Sequence, residues 1–171
     1  MLAGLWAALA PGLVACGYRS IYATQPGSRI SVGAGQTLVP ETGAVQAALS
    51  GARAELASAG RLANGSGFPH LALDVLRVDE LSRGVHVQSG QPSAAGMSVA
   101  VVVRGRLLTV AEQEAALDTG DVRRAVQVAG AADPRADSAA YDHAVRAAAE
   151  RAGHAAARIA LGIPEPNDDP P

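Results

Sequence analysis

The spacing of apolar residues changes period several times along the chain, and each change marks an element. Ile30 and Val32 share one face of a short extended stretch over 28–32, which the run from Gly33 to Gly35 interrupts. From Thr42 the period becomes helical. Val45, Ala48, Leu49, Ala52 and Leu56 recur at three and four residues, with Thr42 placed to cap the start and Gly60 to stop the end. Leu71, Leu73 and Val75 then alternate with Ala72 and Asp74, and the phase slips to Leu76 and Val78, which predicts a strand with a bulge near Val75. A Gly-, Ser-, Gln- and Pro-rich loop is expected over 82–96. Beyond it Val99, Val101, Val103 and Leu107 face one way, and Ser98, Ala100, Val102, Arg104, Arg106 and Leu108 the other, the strongest strand signal in the chain. The acid-bearing stretch 111–121 predicts a solvated connection, and Val122, Val126 and Val128 a further strand. Tyr141, Val145, Ala148, Ala152, Ala155 and Ile159 predict a long helix, capped by Asp137 or Ser138 and ended by Gly162 and Pro164.

The order strand, helix, three strands, helix predicts an α+β fold: a small mixed or antiparallel sheet of about four strands with both helices on one face. Strands joined without an intervening helix are expected to pair antiparallel. The second helix has an alanine-lined stripe, so it should lie close against the sheet or the other helix.

Composition narrows this picture. With aromatics at 3% and alanine abundant, the core must be built from small and branched side chains, each burying little area, so moderate stability is expected. A single cysteine rules out a disulfide within the chain. Every basic residue is Arg, and the acids nearly balance them outside the tail, so there is no global electrostatic footprint for nucleic acid.

The N-terminus carries the most specific motif. Residues 1–15 are apolar but shorter than the ~20 residues a spanning helix needs. The run closes on Leu13-Val14-Ala15-Cys16-Gly17, a lipobox pattern: small residues suited to a signal peptidase, followed by a cysteine to be acylated. No Lys or Arg precedes Cys16, so the usual basic n-region is missing, as a start placed too late would explain. The expected organisation is a lipoprotein signal peptide over 1–15, a lipidated tether over 16–27, one α+β domain over 28–163 and a disordered tail over 164–171. No cofactor is implied.

Together, Cys16-Gly17-Tyr18-Arg19 after the cleavage site and the order of elements resemble the LPS-assembly lipoprotein LptE family. The resemblance covers nearly all of the mature chain. It implies a non-enzymatic protein on the periplasmic face of the outer membrane, held there by its lipid. Such a protein helps the β-barrel LptD to assemble and binds lipopolysaccharide in transit. Gly17, where aspartate would favour inner-membrane retention, fits outer-membrane sorting. An auxiliary lipoprotein of another periplasmic machine, a lipid-transport system or a peptidoglycan synthase activator, is the alternative.

A lipopolysaccharide binder needs guanidinium forks beside apolar surface. Arg104 and Arg106 meet that need on one strand face, Arg77, Arg123 and Arg124 extend it from neighbouring strands, and the competing expectation is that these arginines pair with Asp79, Asp118 or Asp121 and keep the face soluble. Both Arg104 and Arg106 are expected to be exposed and replaceable without loss of fold. The loop over 82–96 would be a plug against a barrel wall, or merely a loop. His143, Glu150 and His154 fall near one helical face, where a solvated surface is a better expectation than a metal site. No Gly-x-Ser-x-Gly elbow, His-Glu-x-x-His motif or phosphate loop with its lysine is present, which lowers the expectation of enzyme chemistry.

Overall fold

The computed structural model describes residues 28–82, 85–88, 91–94, 96–110, 114–128 and 134–164. Six strands and two helices follow in the order β1 (Ser31–Ala34), α1 (Thr42–Ser58), β2 (His70–Ser82), β3 (Val85–Gln88), β4 (Gln91–Ala94), β5 (Met97–Leu108), β6 (Leu117–Val128) and α2 (Pro134–Ala160). Four of the strands form one sheet in the order β1-β2-β5-β6, with β1 parallel to β2 and the other pairs antiparallel. The fold is the expected α+β arrangement.

Both helices cover the same sheet face. Leu71, Leu73 and Val75 of β2, Val99, Val101, Val103 and Leu107 of β5 and Val122 of β6 are buried with Ala48, Leu49, Ala52 and Leu56 of α1 and the alanines of α2. Two bulges keep apolar residues on this inner face. The first, at Leu76, lets Val75 and Val78 both point inward, as the phase slip predicts. The second sets Thr119 and Gly120 opposite Gly105, with Gly120 in the left-handed region at φ 68°. It shifts the phase so that Asp118 and Asp121, three residues apart, both lie opposite outer-face arginines of β5.

The helices pack backbone to backbone. A Cβ on Gly51 would overlap the Glu150 carbonyl, and one on Gly153 would overlap the Ala48 carbonyl. Each helix ends in the same turn. Gly60 N–H bonds the Ala57 carbonyl and Arg61 N–H the Leu56 carbonyl, and Gly162 and Ile163 repeat the pattern on Ile159 and Arg158. The glycines at φ 67° and 70° make this turn possible.

Five expectations need correction. The first strand, expected over 28–32, is Ser31–Ala34 and runs through Gly33, which pairs with Ala72 instead of interrupting it. Thr42 is the first helical residue and not the cap; the cap position is Glu41, whose side chain makes no capping bond. The second helix begins at Pro134, because proline fits a first turn whose N–H groups lack partners, and Asp137 lies within that turn. The expected loop over 82–96 contains the β3–β4 pair, an antiparallel ribbon that its polar composition hid. The last strand starts at Leu117, inside the stretch expected to be a connection, because its acids lie opposite arginines instead of water.

Candidate functional site

The sheet face turned away from the helices carries four of the five arginines singled out above. Arg77 of β2, Arg104 and Arg106 of β5 and Arg123 of β6 lie on it. Arg124 does not: its register partner is the core residue Val101, so it belongs to the helix-side face, where Nη1 donates to the Arg123 carbonyl at 2.8 Å. Strand alternation separates it from its neighbour.

Each of the four outer arginines meets a carboxylate. Arg104 donates to Asp121 from Nε at 3.0 Å and lies 3.9 Å from Asp118, and the hydrogen bond and charge of Asp121 hold its pKa further above the ordinary arginine value. Asp79 sits between Arg77 at 3.2 Å and Arg123 at 3.8 Å, on either side of the buried Val102. Four guanidiniums therefore share the face with Asp74, Asp79, Asp118 and Asp121. It is close to neutral, so any phosphate bound there must displace a carboxylate.

Arg106 is different in kind. Its Nε and Nη2 reach both oxygens of Asp74 at 3.0 and 3.2 Å, and the Asp74 side chain is only 7% exposed. The Gln36 backbone N–H also donates to Asp74, and Gly35 lies so close that a Cβ there would overlap Oδ1. This carboxylate ties the chain after β1 to β2 and β5. Arg106 is thus a structural partner of Asp74, half-buried beside it, and its replacement is a test of the fold as well as of any ligand site.

A second cluster lies at the β1 edge and was not foreseen. The Ser31 hydroxyl is 2.5 Å from the Gly67 carbonyl and 2.7 Å from His70 Nδ1. Only the hydroxyl can donate to a carbonyl, so Nδ1–H donates to Ser31 Oγ and Nε2 is left open. The serine and histidine together clip β1 to β2. Beside it a cleft of about 440 Å³ is lined by Val32, Arg53, Leu62, Ser66 and His70 among others. The only sequence signal for it was the run of small residues from Gly65 to Gly67, which reads equally as a turn.

On the helices, His154 Nδ1 lies 3.4 Å from Glu55 of α1, and Arg158 lies 3.8 Å from the same carboxylate. Among the described residues no three metal-ligating side chains converge. No helix among them is long and apolar enough to cross a membrane. Cys16, the tether and most side chains of the expected plug lie outside what is described.

No protein-family model matches the chain, and no curated protein matches it in sequence. Two bacterial lipoproteins are among the solved structures that resemble it. A candidate lipoprotein from Caulobacter crescentus CB15 is 24% identical, with a TM-score of 0.48 over 78% of this chain and 86% of that one. A minor lipoprotein from Acinetobacter baumannii is 9% identical, with a TM-score of 0.46 over 79% of this chain and 94% of that one.

Proposed function

We propose that this chain is a lipid-anchored, non-enzymatic lipoprotein of the outer membrane, working as LptE does beside the barrel LptD in moving lipopolysaccharide to the cell surface. The lipobox ending at Cys16-Gly17 carries this reading. Acyl chains at that position would tie the domain to a bilayer through the segment before Ser28, since one chain alone anchors only marginally and stable attachment takes more. The exposed pairs of Arg77, Arg104 and Arg123 supply the guanidiniums that lipid phosphates would take over from Asp79 and Asp121. Arg106 and Arg124 drop out of that surface. The neutrality of the face favours the second reading, an auxiliary lipoprotein of another periplasmic machine, to the extent that phosphate fails to displace those carboxylates.

Intact-mass analysis of the protein from native membranes should find residues 1–15 removed and Cys16 acylated, and Cys16→Ala should release the domain from the membrane fraction. An unmodified thiol with the first fifteen residues in place would overturn the anchor. Crosslinking in solubilised outer membranes should capture a large barrel protein. Replacing Arg104 and Arg123 together by alanine should weaken lipopolysaccharide binding and leave the thermal midpoint nearly unchanged; unaltered binding by that folded variant would remove the arginine face from the mechanism.

A further inference from the structure

We propose that the open edge of β1 is a docking groove for an extended, carboxylate-bearing peptide segment, which adds to the sheet as a fifth strand and sets its acid against Arg53. The inference does not depend on the lipid anchor.

Parallel pairing turns alternate residues of β1 toward β2. Ser31 N–H donates to the Pro69 carbonyl at 3.0 Å and Gly35 N–H to the Leu73 carbonyl at 2.8 Å. The backbone groups of Ile30, Val32 and Ala34 therefore point the other way, to the free edge of the sheet. At Ile30 that edge is already occupied: its N–H donates to the Arg61 carbonyl at 2.6 Å and its carbonyl accepts from Ala63 N–H at 2.9 Å. The stretch 61–63 is thus the beginning of a fifth, parallel strand. It then leaves the edge through Gly65, at φ 104°. Past that point no backbone group among the described residues pairs with Val32 or Ala34, and the 440 Å³ cleft opens where the missing strand would run. Unpaired edges of this kind are templates for strand addition, which draws its affinity from main-chain bonds.

The charge of the occupant follows from Arg53. Its Nη2 reaches only the Val32 carbonyl, at 3.4 Å, and no carboxylate among the described residues lies within ion-pair distance. Arg77, Arg104, Arg106 and Arg123 each have one. No acidic residue lines the cleft, and His70 stands across it with Nδ1 engaged by Ser31. An incoming acid would meet a guanidinium that has no carboxylate partner among the described residues, while an incoming Lys or Arg would meet repulsion.

The test uses the full chain, labelled with nitrogen-15, and two acetylated hexapeptides, Val-Thr-Val-Glu-Val-Thr and its Glu-to-Lys counterpart, at millimolar concentration. Because main-chain pairing is indifferent to most side chains, such β-formers are adequate probes. The Glu peptide should shift the amides of Val32 and Ala34 and slow their hydrogen exchange, and the Lys peptide should bind about tenfold more weakly, the effect of one charge-assisted pair. Arg53→Glu, at an exposed helix position, should reverse that preference. Absence of shifts at Val32 and Ala34, equal binding of the two peptides, or the same shifts from inorganic phosphate alone would each overturn the proposal, the last by reducing the site to an anion pocket.

Discussion

Arg106→Met should lower the thermal midpoint by on the order of 10 °C, whereas Arg104→Met, two residues away on the same strand face, should barely move it. The two arginines look alike in sequence and differ in what they hold. Arg104 is 41% exposed and its acids are 48% exposed, so water replaces the lost pair at little cost. Arg106 covers a carboxylate that is 7% exposed, and removing it leaves Asp74 with the Gln36 N–H as its remaining hydrogen-bond donor. Uncompensated buried charges of this sort cost about 3–5 kcal/mol, and we expect about 2–4 here because the guanidinium itself is over a third exposed. Adding Asp74→Asn should recover much of the loss, since the amide oxygen can still accept from Gln36 without carrying a charge. Thermal unfolding of the two single variants and the double variant gives the cycle directly. Equal midpoints for the Arg104 and Arg106 variants would show that the Asp74 pair carries no special weight.

How much of this was legible in the sequence differs from feature to feature, for physical reasons. The inner faces of β2 and β5 were legible because Val and Leu recur at strict period two, and even the Leu76 bulge announced itself as a slip in that period. The Thr119–Gly120 bulge sits where β6 has few apolar residues, so its phase shift had nothing to displace and the strand start was hidden. The β3–β4 ribbon was hidden for a related reason: it makes its own sheet of two strands, and its sequence is rich in turn-forming residues.

Site residues followed the same rule. Alternation alone placed Arg104 and Arg106 together on the face opposite the core. Which acid each meets depends on the register of three strands: Asp74 lies directly opposite Arg104 yet is taken diagonally by Arg106, leaving Arg104 to Asp121. Arg123 and Arg124 are neighbours in a regular stretch of β6, so alternation sends them to opposite faces and leaves only Arg123 on the arginine face. The edge cleft was invisible because it is made where separate segments meet, β1, Arg53 of α1, the turn after α1 and the start of β2, and no periodic signature links them.

Gly153→Ala should destabilise the protein by about 1–3 kcal/mol, although alanine is the better helix former by about 1 kcal/mol. Intrinsic propensity and packing oppose one another here, and the geometry decides between them. The new methyl group would overlap the Ala48 carbonyl oxygen of α1, a backbone atom that can move only if the whole helix moves. Gly51→Ala should do the same against the Glu150 carbonyl. Once one methyl has forced the helices apart the second meets less resistance, so the double variant should lose less than the sum of the two. Gly43→Ala is the internal control. It lies in the first turn of α1, where the nearest atom to an added Cβ is Arg146 Cγ at 3.9 Å, an ordinary contact, so the substitution should be neutral or stabilising by up to about 1 kcal/mol. Chemical denaturation of the three variants reads the contrast in sign, since the two contact glycines should lower the midpoint and Gly43 should not. The reason reaches back to composition. A core with so few aromatic side chains gains its burial from closeness, and the alanine-lined helices achieve that closeness where a glycine of one backbone meets the backbone of the other, Gly51 at Glu150 and Gly153 at Ala48.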